Sequence, residues 1–319
     1  ILFKMKPLET FLFNQYNLSL NQLQIACEAI MKQMLMEFSS DDIINHNFIN
    51  ITKYLPIKLY DDLIDINQKY DNLLDINANS KLVCFPVIKS CNMFYLTSPE
   101  VFIDNFYKCI QRLYSKKATK EEKDILSNQK GQMFNDSCEQ IFKSMGFNDI
   151  YSNYKYSNGE IDLLIEDKDV LIIVECKARN YTDKTSGLST SFIKANEHNL
   201  DNAAGQVHRF IDLLNKKETV TLQNENKKIK VSIDKYKYII PIVLNIDNLA
   251  EINADFDQRK ENTIYVSFDD LLIIADVVRN KRWLLIDFFY QLVNCKREDA
   301  VVDDIIDMFA FYCQCKNSN

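Results

Sequence analysis

Gly159-Glu160-Ile161-Asp162-Leu163-Leu164-Ile165, followed after Glu166-Asp167-Lys168-Asp169 by Val170-Leu171-Ile172-Ile173-Val174-Glu175-Cys176-Lys177, is the stretch that decides the fold. Two β-rich runs around a short polar break predict a hairpin. With Asp167 and Lys168 as the two loop residues, Glu166 faces Asp169, Asp162 faces Ile173 and Glu160 faces Glu175. Side chains repeat every second residue along a strand, so Asp162 then shares a sheet face with Glu175 and Lys177. A three-residue loop would put Asp162 on the other face. Glu175 and Lys177 end a nearly continuous apolar strand of the kind buried on both sides, where ionised groups are costly without partners. Two carboxylates brought together there call for a cation between them. Carboxylates that hold a hard cation, with an amine beside it, are what phosphodiester hydrolysis requires. A lone Glu-x-Lys on a solvated hairpin would carry no such meaning.

At these residues the chain resembles the PD-(D/E)xK superfamily of restriction-endonuclease-like nucleases, in its Gly-Glu-Ile-Asp and Glu-x-Lys variant. The resemblance runs over about 131–268 and is most specific from Asp162 to Arg179. It implies an α/β fold, a mixed central sheet flanked by helices, in the order helix, three strands, helix, strand. The chain offers that order. Gly131 to Met145 is amphipathic, with Phe134, Cys138, Ile141 and Met145 on one face, and Gly146-Phe147 closes it. Tyr151–Tyr156 is the expected first strand, Lys194–Leu214 the long helix, Tyr236–Leu244 a buried strand and Thr263–Val266 another.

The resemblance also implies site residues. Asp162 and Glu175 would bind Mg²⁺ or Mn²⁺ with the backbone carbonyl of Cys176, and Lys177 would orient or deprotonate the attacking water. Gln206 matches a glutamine that many members carry on the helix after the Glu-x-Lys strand, although the buried stripe of Val207, Phe210, Ile211 and Leu214 places it at a helix edge as well. Members often have a glutamate one turn after a helix glycine. That position here is Asn135, and Glu139, four residues on along the same helical face, is the expected helix-borne ligand.

Composition narrows the partners. Nine scattered cysteines with no C-x-x-C pair exclude a zinc ribbon or a disulfide framework and suit a reducing cytoplasm. No run approaches a membrane span, and Ile1–Pro7 lacks a secretory apolar core. A net charge of −7 confines any nucleic-acid contact to a local patch. Lys177, Arg179, Lys184 and Lys194 against Asp183 alone form one, interspersed with hydroxyl side chains suited to phosphate oxygens. His208 and Arg209 could add to it.

Residues 1–130 read as a mainly helical recognition or regulatory region, with helices over Leu18–Phe38, Ile57–Tyr70 and Pro99–Tyr114, a strand within Lys81–Lys89, and a further helix opened by Thr119. Residues 131–268 read as the nuclease core, and 269–319 as a helical extension packed on it, with helices over Asp269–Val278, Trp283–Val293 and Asp303–Tyr312. Lys216–Lys230 reads as an exposed connection. The expected activity is metal-dependent endonucleolytic cutting of DNA, with RNA left open, in a restriction or antiphage setting. A repair or recombination nuclease and a non-catalytic nucleic-acid-binding relative are the alternatives. The helical regions at either end are the expected surfaces for a homo-oligomer or a partner protein.

Overall fold

The computed structural model describes residues 5–38, 49–67, 85–178, 190–225, 227–246, 262–279, 281–294 and 305–317. The apolar run that dominates the sequence becomes β6 (Val170–Lys177), in which every residue except Lys177 is buried. A strand buried on both faces needs a neighbour on each edge and a layer on each side. Its antiparallel neighbour is β5 (Gly159–Asp167), and its parallel neighbour is β9 (Tyr238–Asn245). β4 (Asp149–Tyr156) pairs with β5, β10 (Ile264–Ser267) adds in parallel to β9, and β7 (Thr219–Gln223) with β8 (Lys228–Ser232) completes a seven-stranded mixed sheet. The order is β10-β9-β6-β5-β4-β7-β8.

Helices cover the faces. On one side α6 (Thr190–Lys217) lays Val207, Phe210 and Leu214 against Leu164, Leu171 and Ile173. On the other, α5 (Lys120–Ser144) brings the Cys138 thiol to that of Cys176. Adjacent residues of β6 therefore serve opposite layers, with Cys176 facing α5 while Glu175 and Lys177 face α6.

Two expected helices prove to be one. Thr119 and Glu122 form a capping box, with Glu122 N–H donating to Thr119 Oγ1 (3.2 Å) and Thr119 N–H to Glu122 Oε2 (2.7 Å). The helix then runs without a break through Gly131, where a Cβ would meet nothing within 4 Å. It ends in a Schellman motif: Gly146 N–H donates to Lys143 O, Phe147 N–H to Phe142 O, and Gly146 sits at φ 97°. Because a side chain is strained at that φ, Gly146→Ala is expected to cost about 1–2 kcal/mol. Urea unfolding would show it as a lowered midpoint with unchanged slope.

The segment read as an exposed connection is instead the β7–β8 hairpin, with Val220, Leu222 and Val231 buried beneath its lysines. Ahead of α5 lie α1 (Lys6–Tyr16), α2 (Leu20–Phe38), α3 (Ile57–Asn67) and α4 (Pro99–Lys117). A small sheet joins them, β1 (Ile49–Asn50), β2 (Val87–Ser90) and β3 (Met93–Leu96), ordered β1-β3-β2. Tyr60 stacks on Phe94 there at 4.6 Å between ring centres. Described residues up to Lys130 form one compact unit and those from Gly131 a second, so the division falls within α5. In the second unit α7 (Phe268–Val278), α8 (Arg282–Asn294) and α9 (Ile305–Asn317) follow β10. Arg282 Nε lies 2.8 Å from Asp167 Oδ2 on β5, and Tyr290 packs edge-on against Tyr238 of β9. Among the described residues no helix is long and apolar enough to cross a membrane.

Candidate active site

The β5–β6 turn is two residues long, but its loop is Lys168-Asp169 rather than Asp167-Lys168. Asp167 pairs with Val170 and Leu163 with Val174, and Lys168 takes a left-handed φ of 54°. The strand extends further than its own pattern indicates because distant partners hold it: Arg282 takes Asp167, and Lys235 takes Glu166. The slip is two residues, an even number, so by parity alone Asp162 would keep the face of Glu175 and Lys177. Glu160 does not face Glu175; it pairs with Lys155 on β4. Continued by one step, the ladder would set Asp162 opposite Glu175. The backbone pairing stops short of that, and Asp162 Oδ2 accepts the Cys176 N–H at 2.7 Å.

Ile161 and Leu164 both join the core beneath α6, although strict alternation would separate them. The alternation therefore breaks at Asp162. Across from it on β4, Asn153 adopts φ 58° between the pairs Ser152 with Leu163 and Tyr154 with Ile161. Asparagine tolerates that conformation better than most residues. The Asn135 amide of α5 donates to Asn153 Oδ1 (3.0 Å) and reaches Asp162 Oδ1 (3.4 Å).

Glu175 is 5% exposed, and its Oε1 lies 2.5 Å from Lys177 Nζ. Lys177 also donates to Gln206 Oε1 at 2.8 Å. The ammonium is thus fixed between a strand carboxylate and a helix amide. Burial pushes Glu175 up to about 7, the nearby Asp162 charge adds to the rise, and Lys177 and Arg209 oppose it. Asp162 is also raised, first by burial, against the Cys176 N–H, Lys177 and Asn135.

This has a pH signature in metal-free protein. The folded state holds the Glu175 proton more tightly than the unfolded state does, so folding is penalised as pH rises from 4.5 to about 7 and no further above that. Glu175→Gln keeps the shape of the protonated acid and escapes the penalty. In EDTA it should match the parent at pH 4.5 and exceed it by about 2–3 kcal/mol at pH 8. Chemical denaturation at the two pH values measures the difference.

The remaining expected residues fall in different places. Glu139 does not meet Asp162: Lys143 Nζ holds its Oε1 at 2.5 Å, and Ser152 Oγ donates to its Oε2. One further turn of α5 carries it along β4, so the helix residue at Asp162 is Asn135. Arg209 is exposed, bonds the Tyr156 hydroxyl and stands close enough to favour the Glu175 charge. His208 Nε2 is engaged with Thr263 Oγ1 at 2.7 Å. Arg179 and Lys184 lie outside the described residues, and Lys194 lies in α6 with only its backbone described. Sequence reading missed Asn153, whose signal was an asparagine within a β-rich run.

Residues 126–191 match the family model Mrr_cat, restriction endonuclease, a segment that contains Asp162, Glu175 and Lys177. Over that segment the chain is similar to restriction endonuclease domains of the PD-(D/E)xK superfamily. Over 51 residues the chain is 37% identical to a UPF0102 protein of Sulfurihydrogenibium sp. (strain YO3AOP1), a match that covers 16% of this chain and 44% of that protein. The chain therefore spans under half the length of this curated relative. Similar solved structures include the small subunit of the heterodimeric restriction endonuclease R.BspD6I, at 13% identity and a TM-score of 0.28 over 59% of this chain and 89% of that one. Another is protein VC1899 from Vibrio cholerae, at 12% identity and a TM-score of 0.19 over 71% and 52%.

The groups gathered at Asp162 and Glu175 would suit a hard divalent cation. The two carboxylates offer oxygen alone, the resemblance would add the main-chain carbonyl of Cys176, and the Cys176 thiol turns to Cys138. Among the described residues no group of three or more His, Cys, Asp or Glu side chains gathers.

Proposed function

We propose that this protein is a Mg²⁺- or Mn²⁺-dependent endonuclease that hydrolyses DNA phosphodiester bonds, acting as a restriction or antiphage defence effector. The observation that carries the reading is a buried Glu175 beside Asp162, its carboxyl raised by burial and then by the Asp162 charge, and paired with a Lys177 that Gln206 also holds. Two carboxylates this close, at the edge of a domain of restriction-endonuclease type, relieve their repulsion by sharing a cation.

In this reading Asp162 and Glu175 hold the ion, with the Cys176 carbonyl as a third oxygen. The bound ion supplies charge to the phosphoryl oxygens and acidity to water. Gln206 and Glu175 position the Lys177 ammonium, which steadies the developing hydroxide and orients the attacking water. Asn135 and the Cys176 N–H orient Asp162. Arg209, Arg179, Lys184 and Lys194 supply phosphate contacts along the backbone of the substrate.

The test is incubation with supercoiled plasmid, linear duplex, single-stranded DNA and RNA, each with Mg²⁺, Mn²⁺ or EDTA. Nicking or linearisation of plasmid in either metal and none in EDTA is the expected result. Intact plasmid in both metals, or cutting that EDTA leaves unchanged, would overturn the reading, and cutting of RNA alone would reassign the substrate.

A further inference from the structure

Beside the carboxylate pair lies a polar trench of about 560 Å³, within the size range of sites that enclose a small ligand. A cross-strand row makes its floor. Glu160 of β5 faces Lys155 of β4, and Lys155 faces Gln223 of β7. Gln132 of α5 forms a wall, and Asn224 in the β7–β8 turn closes the far end, its Oδ1 accepting the Lys227 N–H at 2.9 Å. At the near end stands Asn153, which accepts from the same Asn135 amide that reaches Asp162. The trench and the carboxylate pair therefore share this asparagine link.

The lining selects among ligands. Among the described residues that line it Lys155 is the one cation, against the carboxylates of Glu160 and Glu225, so a phosphate would meet net repulsion there. Side-chain amides dominate the rest, from Gln132, Asn153, Gln223 and Asn224. An amide presents a donor and an acceptor side by side, which matches the edge of a nucleobase, and a carboxylate accepts from an exocyclic amine. A recess of this kind takes a base only when that base is out of its stack.

We propose that the trench is a base-reading subsite: one unstacked nucleobase of the substrate sits against Gln132, Gln223 and Asn224 while an adjoining phosphate lies at Asp162 and Glu175. It rests on the nuclease reading for the identity of the ligand, and it adds a source of sequence preference near the cut.

The full chain in EDTA, titrated with short fluorescein-labelled single strands in which an abasic sugar is stepped through each position, tests this without any cutting. In the parent, the abasic sugar at one position should weaken binding about tenfold, the loss expected of one good amide–base contact. Gln132→Ala with Asn224→Ala, at exposed and half-buried positions, should fold as the parent does and bind the intact and abasic strands alike. Equal affinity for every abasic strand in the parent, no binding of any strand, or a penalty that survives in the double variant would each overturn the subsite. Cutting is scored separately in Mg²⁺. Cutting with a flat abasic scan removes the subsite and leaves the nuclease, whereas a base-dependent scan without cutting keeps the subsite and removes the nuclease.

Discussion

Glu175→Gln and Asp162→Asn are each expected to lower the rate of plasmid cutting at saturating Mg²⁺ by about 10³-fold or more, to the assay background. Both replacements keep size and shape while removing the charge that would hold the cation. Glu175 is the sharper of the two because the change removes a buried ionised group, so the protein should be more stable without metal while being inactive with it. A merely structural carboxylate would show the opposite coupling, with stability and activity falling together. Asp162→Asn also leaves the Cys176 N–H a side-chain acceptor, so the local backbone should persist. Thermal unfolding in EDTA beside single-turnover cutting separates the two cases, and Glu175→Gln cutting at the parental rate would remove Glu175 from the chemistry.

Lys177→Met carries the second large effect, a loss of about 10²–10³-fold in cutting with divalent-ion affinity kept within a few-fold of the parent. The lysine is held by Glu175 at 2.5 Å and Gln206 at 2.8 Å, which directs its ammonium to one place beside the carboxylates. Removing it takes away a positioned cation but no metal ligand. With that opposing charge gone, the Glu175 carboxyl in metal-free protein should rise further, above about 7. Single-turnover rates with metal titrations of the same variant distinguish this from a ligand role: loss of both affinity and rate together would show that Lys177 acts through the carboxylates instead.

What the sequence revealed follows from what strand geometry conserves. The slip of two residues preserves parity for Glu175 and Lys177 against β5, but the break in alternation at Asp162, opposite the left-handed Asn153, is a local feature that period two cannot express. The slip was hidden because its causes, Arg282 on Asp167 and Lys235 on Glu166, come from far along the chain. The β7–β8 hairpin was concealed by composition, since lysines and polar residues alternate there with Val220, Leu222, Ile229 and Val231, and attention to period two in place of charge would have found it. Choosing between Asn135 and Glu139 needed the helix position against β4. Four residues separate them on one helical face, and spacing alone cannot say which of two turns lies over Asp162.

The central claim, that Asp162 and Glu175 share one divalent cation, is met most directly by Mn²⁺ titration followed by electron paramagnetic resonance, in which binding removes the signal of the free ion. One Mn²⁺ per chain in the parent, with affinity lost by about tenfold or more in both Asp162→Asn and Glu175→Gln, is the expected outcome. Parental binding in either variant, or no binding by the parent at all, would contradict it.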